Sequence, residues 1–266
     1  MFEISIVSGI MLTSMAWIFL QPAYRRMRRR SHYNKDFPIQ WETILEKNLD
    51  PYQHFTPEFK QRLHGHVQIF LKEVNFVGSK GLAVTEEIFV TIAGQACLLI
   101  ANQEQYTFRI LHTVIVYPRA YRWSEARDAA TVLGESSMDG TVVLSWDDSK
   151  KGGRNWQDGR NVVLHEFAHQ LDQEDGRTDG RPNSGLSACS KTWSNTLHHE
   201  YQKLCKRKKK RRGRGVIDYY GATNMAEFFS CATESFFEKP GQMQRQHTKL
   251  FNELLNYYEV DPREWE

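Results

Sequence analysis

Two histidines four residues apart, with a glutamate beside the first, stand in N-V-V-L-H-E-F-A-H-Q-L-D-Q, residues 161–173. On a helix, positions i and i+4 project from one face about one turn apart. His165 and His169 can therefore share one zinc ion while Glu166 reaches toward an adjoining open coordination position. Val162, Val163, Leu164 and Phe167 give that helix the apolar faces needed to bury it. The chemistry of such a set is hydrolysis: a metal-activated water, with a carboxylate to take its proton.

A catalytic zinc takes three protein ligands and leaves the fourth position open, so a third donor is required. Asp175 lies at the right distance for one extended form of the motif, but position 172 is Asp where that form needs a turn-forming Gly. His198 and His199 lie on the next helical segment, and nothing in the spacing prefers one to the other. A carboxylate from a later helix is the remaining choice. Glu227 and Glu234 are seven residues, hence two turns, apart on one face, and spacing alone does not separate them.

H-E-F-A-H-Q-L-D, followed about fifty residues later by Y-G-A-T-N-M-A-E-F-F and then T-E-S-F-F-E-K-P, resembles the MtfA (Mlc titration factor A) family of bacterial zinc-dependent peptidases. The same blocks are similar to the catalytic domain of anthrax lethal factor. The resemblance runs over residues 37–266 in order of elements, although only these blocks are specific. It implies a zincin-like fold and one Zn2+ held by His165, His169 and Glu227, with Tyr220 beside the reacting groups. It also implies aminopeptidase-like activity on peptides, and as an alternative a regulatory role in sequestering a transcriptional repressor. Asp172 matches as the partner of a ligand histidine. On this reading Glu166 takes the proton of the zinc-bound water and hands it to the leaving amine. Tyr220 donates to the oxyanion or the amine, a contribution of about 2.7 to 4 kcal/mol if pre-aimed. Asp172 or Glu234 holds a ligand imidazole by its other N–H.

These residues need a scaffold, and the pattern of the chain predicts an α+β domain of helices on a small sheet. Thr56-Pro57-Glu58 caps a helix to about Val74, and Thr85-Glu86-Glu87 opens another to about Ala101. Strand-like runs follow at 108–117 and 141–146, the second after an Asp139-Gly140 turn. The 141–146 strand is expected to be the sheet edge that pairs with an extended peptide substrate. Helical patterns cover 160–171, 191–204, 225–237 and 247–258, with Pro240-Gly241 parting the last two.

The 266 residues carry 35 basic and 32 acidic side chains, a net charge of +3. With 40% hydrophobic residues the chain can bury a core of ordinary size, which excludes global disorder. Cys97, Cys189, Cys205 and Cys231 lie far apart with no C-x-x-C pair, which excludes a cysteine-based zinc module and a disulfide scaffold. The charge is uneven. Five arginines between Arg25 and Arg30 and nine Lys or Arg within 203–215 leave 21 basic and 31 acidic residues elsewhere once Glu3 is set aside, a body near −10. The 203–215 run reads as a solvated flexible loop, because like charges repel along a helix. It lacks the interleaved aromatics of a nucleic-acid surface.

Ile4–Tyr24 holds 21 residues without a charge, about enough to cross a bilayer core of roughly 30 Å. The arginines follow that run, whereas a cleaved signal peptide has them before it. The positive-inside rule then predicts a single-pass anchor over 1–24 in the inner membrane, a basic linker over 25–36 and a catalytic domain over 37–266 facing the cytoplasm. A soluble cytoplasmic chain with an N-terminal helix, and a secreted form that has lost 1–24, are the alternatives.

Overall fold

A computed structural model describes residues 20–103, 108–122, 131–132, 134–182, 191–210, 213 and 215–265. Residues 20–33 are helical (α1). Then come α2 (Ile39–Asn48), α3 (Pro57–Glu73), β1 (Asn75–Gly78), α4 (Glu86–Leu98), β2 (Thr113–Tyr117), and the short strands β3 (Tyr121–Arg122), β4 (Thr131–Val132) and β5 (Gly134–Ser136). The chain continues through β6 (Thr141–Ser145), α5 (Trp146–Arg154), α6 (Val162–Asp172), α7 (Lys191–Lys209), α8 (Met225–Glu238), α9 (Pro240–Gln246) and α10 (Thr248–Tyr258). The α+β expectation holds: helices pack on a small mixed sheet.

The sheet runs in the order β1-β2-β6-β5, with β1, β2 and β6 parallel and β5 antiparallel to β6. Strand 141–146 is thus not an edge: β6 lies between β2 and β5. The physical reason is visible in its burial, since Val142, Val143, Leu144 and Ser145 are all buried. That pattern belongs to a strand covered on both faces. The edge on this side is β5. The first predicted strand is also shorter than expected. Phe108 and Leu111 enter the core from irregular chain before β2 begins at Thr113.

Phe167 of α6 sits between Phe70 of α3 and Phe108, with ring centroids 5.6 and 5.2 Å away. Burying such a ring contributes about 2–3 kcal/mol, and here it clamps the H-E-x-x-H helix to the core. A second aromatic group, Phe236, Phe237, Phe251 and Tyr258, locks α8 to α10.

The basic run differs from expectation over 203–209, which completes α7 instead of forming a loop. Trp193, Leu197 and Leu204 bury one face of that helix. Lys206 to Lys209 fall in its last turn, where exposed carbonyls and the helix dipole favour cations. Glu200, buried on the same helix, accepts a hydrogen bond from His247 Nδ1 at 2.6 Å. The basic stretch 25–33 is helical as well, within α1. Residues 1–19, with most of the expected anchor, lie outside the described residues. Among the described residues no helix is long and apolar enough to cross a membrane.

Candidate metal centre

Asn161 starts the site. Its side-chain oxygen accepts from the backbone N–H groups of Val163 and Leu164, both at 3.1 Å, and so caps α6. From that cap, His165 and His169 emerge from one face with ring centroids 5.0 Å apart. Opposite them stands α8, capped by Asn224, whose side chain accepts from the Glu227 N–H at 2.9 Å. This places Glu227 in the first turn, over the two imidazoles.

Glu227 Oε2 lies 2.9 Å from His165 Nε2 and 3.5 Å from His169 Nε2. One atom from each of the three residues falls within 4.8 Å of the others. Burial works to raise the Glu227 carboxyl, but hydrogen bonds from His165 and His169 outweigh it and take the pKa down to about 2. On the other side of the first imidazole, Glu234 Oε1 lies 2.7 Å from His165 Nδ1. The two carboxylates that spacing could not separate therefore take opposite nitrogens of one ring. Burial alone would lower the His165 pKa, yet the Glu234 charge and the hydrogen bonds around the ring hold it well above the ordinary value.

Glu166 is buried next to this set. Its pKa is pushed up to about 7, first by burial and then by the negative charges of Glu227, Glu234 and Glu135 acting against His165. A carboxyl near neutrality can both take and return a proton. Gly134, in edge strand β5, lies directly over it. A Cβ there would come within 2.7 Å of Glu166 Cγ and of Val162 Cγ2, so only glycine lets the strand close on this side chain. Tyr220 is in a short 3-10 turn before α8, 55% exposed, with its ring 5.9 Å from that of His165. Burial of the ring and then Glu227 raise its hydroxyl pKa, so the group stays a donor at neutral pH.

Three candidates from the sequence do not join the site. His198 and His199 are exposed on α7, and Asp175 accepts from the Arg177 N–H in the turn after α6. None of the three belongs to a metal-capable cluster among the described residues. Asp172 is buried but does not hold a histidine. Its carboxylate accepts from the Gly180 and Arg181 N–H groups at 2.9 and 2.7 Å and ties down that loop. His169 Nδ1 is buried with no hydrogen-bond partner among the described residues.

A second cluster shares the first histidine: His165, Cys231 and Glu234. Cys231 is pushed up to about 11, chiefly by burial, and is a neutral thiol in the metal-free protein. Glu234 already engages the Nδ1 edge. The chemistry of the donors thus favours His165 Nε2, His169 Nε2 and Glu227, two imidazole nitrogens and one carboxylate oxygen, as a fit for zinc.

Two backbone N–H groups that sequence reasoning missed tie the start of α6 to α8, one of them at Glu234. The backbone N–H of Asn161 donates to Glu234 Oε2 at 2.7 Å, and the Arg160 N–H donates to Glu238 Oε2 at 2.9 Å. The cap role of Asn161 is readable from an Asn placed before an apolar run. Its backbone bond to a carboxylate on another helix has no sequence signal.

Comparison with known proteins bears on the same segment. The family described as glucose-regulated metallo-peptidase M90 matches residues 24–259. An uncharacterized protein of Synechocystis sp. (strain ATCC 27184 / PCC 6803 / Kazusa), slr2042, is 34% identical over 272 residues, covering 98% of both chains. Mlc titration factor A of Klebsiella pneumoniae (strain 342) is 27% identical over 86% of this chain and 88% of its own. The protein of the same name from Cronobacter sakazakii (strain ATCC BAA-894) is 25% identical over 85% and 87%.

Proposed function

The chain belongs to the glucose-regulated metallopeptidase M90 family, and from that premise we propose that it hydrolyses peptide bonds with a zinc ion held by His165, His169 and Glu227. The observation that carries the reading is the convergence of these three donors within 4.8 Å beside a buried glutamate. Zinc bound there supplies a Lewis acid and a water acidified toward a pKa of about 7.

The remaining work falls to the protein's own groups. Glu166 takes a proton from the attacking water and returns it to the leaving amine, a role suited to a buried carboxyl beside the three donors. Tyr220, close to His165 and open to solvent, donates a hydrogen bond to the oxygen or nitrogen of the scissile bond. Glu234 holds His165 by Nδ1 and keeps its Nε2 turned to the metal. A peptide lying extended along β5 passes over Gly134 and hence over Glu166, so substrate positioning moves from β6 to this neighbouring strand. Cleavage is aminopeptidase-like in this reading, as the sequence resemblance implies.

The curated relatives named Mlc titration factor A support a second role, grip on a transcriptional repressor. One variant separates the two. Glu166→Gln keeps the three donors, so zinc stays bound at one per chain while hydrolysis of a peptide library falls at least a hundredfold. Zinc-dependent cleavage that survives this change overturns the assignment of Glu166. A cellular effect that survives it belongs to binding and not to hydrolysis.

A further inference from the structure

Helix α1 stands away from the body: residues 22–28 are all exposed. Its C-terminal end is nevertheless fastened. Tyr33 packs flat on Gly65 of α3, where even a Cβ would come within 2.5 Å of the ring. Arg29 donates two hydrogen bonds from Nε and Nη2 to the Glu73 carboxylate at 2.9 and 2.7 Å. The helix is thus a fixed projection of the catalytic body.

Leu20, Tyr24 and Met27 form an apolar stripe along α1, each more than half exposed. Their spacing of four and three residues puts them on one face, which continues through Arg28 to His32. At that end the face opens into a groove of about 330 Å³, floored by Trp41, Phe76 and Phe89 and rimmed by His32, Lys35 and Lys72. Neither Lys35 nor Lys72 makes an ion pair among the described residues, nor do Arg25, Arg26 and Arg30 along the helix. The crowding of cations is felt by His32, whose pKa is lowered first by burial and then by Lys35, Lys72 and Arg28. An aromatic floor, an uncompensated basic rim and an adjoining apolar stripe call for a ligand that is anionic at one level and hydrocarbon at the next.

We propose that α1 and this groove form a docking surface for an anionic phospholipid bilayer, with Leu20, Tyr24 and Met27 in the headgroup–acyl boundary and a lipid phosphate between Lys35 and Lys72. Nucleic acid would match the charge but leaves Leu20 and Met27 of the apolar stripe without a partner. The charge-free sequence Ile4–Tyr24 ends within that stripe, so the residues that precede it are apolar in composition as well. Basic residues flanking an apolar helix face are the pattern of interfacial helices. The inference is independent of the peptidase reading.

The test uses the full chain and vesicles of phosphatidylcholine with or without phosphatidylglycerol, doped with a photo-crosslinking form of either lipid whose reactive group is in the headgroup. Adducts are mapped by mass spectrometry. The phosphatidylglycerol probe should label peptides containing Lys35, Trp41 or Lys72 at least tenfold more than the phosphatidylcholine probe. Lys35→Gln with Lys72→Gln should cut that labelling about fivefold per charge, as expected for a surface cation at an anionic leaflet, without lowering the thermal midpoint. Equal labelling by the two probes, or adducts confined to peptides before residue 20, overturns the proposal. So does full protection by millimolar inorganic phosphate, which would reveal a free-anion site. Displacement of the lipid by single-stranded RNA would reassign the surface to nucleic acid and overturn it too.

Discussion

Replacing Glu234 by Gln isolates the carboxylate on His165 Nδ1 from Glu227, the one proposed to bind the metal. Glu234 is buried, and each of its oxygens has one donor at 2.7 Å: His165 Nδ1 on Oε1 and the Asn161 N–H on Oε2. Glutamine fills the same volume but offers one acceptor and one NH2. Whichever way the amide turns, an NH2 faces a donor. Without metal the conflict resolves, because loss of the Glu234 charge removes the main cause that holds both protons on His165, and the ring can then keep one on Nε2 toward Glu227 and present Nδ1 as an acceptor. With zinc on Nε2 the proton must sit on Nδ1, so one buried donor goes unsatisfied. That costs the metal-bound form about 1–3 kcal/mol, roughly a 5- to 150-fold loss of zinc affinity when the assay is run above the pH at which metal-free His165 gives up its second proton. Outer-shell replacements elsewhere cost about 10- to 100-fold, in the same range. Competition against a chromogenic chelator at constant pH measures it directly. Glu227→Ala, which removes a donor outright, is the reference for near-complete loss. A Glu234→Gln protein whose chelator midpoint stays within twofold of the parent would refute the tautomer argument. Stoichiometric zinc in Glu227→Ala would refute the choice of ligand.

Gly134→Ala should push β5 off α6, because the new Cβ would stand 2.7 Å from both Glu166 and Val162. The overpacking costs about 1–3 kcal/mol in denaturant unfolding and lowers peptide hydrolysis, while zinc affinity stays within twofold. Parental activity and stability together would show that β5 does not close on the site. Glu238, one helical turn beyond Glu234, is another buried carboxyl, pushed up to about 9 by burial and then by the Glu234 charge. Its folded pKa lies above the unfolded one, so the folded chain holds the extra proton between about pH 4.5 and 9, and stability falls as pH rises through that window. Glu238→Gln, which keeps an acceptor for the Arg160 N–H, should therefore stabilise the protein by at least about 1 kcal/mol at pH 8 and leave it unchanged below pH 4. Equal pH profiles for parent and variant in thermal unfolding would contradict this.

What the sequence made legible is what local rules encode. The spacing of His165 and His169 and the burial of Phe167 follow from one helical period, and the observed helix departs from the predicted one by a residue or two at its ends. The ambiguity between Glu227 and Glu234 was real at that level, since both lie on one face of α8. The two differ only when α6 is laid against α8, where His165 enters between them and turns Nε2 to Glu227 and Nδ1 to Glu234. The misplaced substrate edge has a different origin. The unbroken apolar run Val142–Leu144 already carried the signature of an interior strand, whereas the true edge, Gly134-Glu135-Ser136, is too short and polar to read as a strand at all and exists by pairing with β6.

The basic run shows the opposite error, a local rule given too much weight. Repulsion among Lys206, Arg207, Lys208 and Lys209 is relieved by the exposure of the three lysines and by a helix end that favours cations. The buried face of Trp193, Leu197 and Leu204 carries the helix through it. Asn161 marks the limit of sequence reading. Its side chain obeys a capping rule that any sequence displays, but its backbone N–H secures Glu234, and through it His165, only because two helices meet there. Any residue type except proline could supply that N–H, so its part in the site follows from the packing of α6 against α8 and from nothing in the identity of the residue.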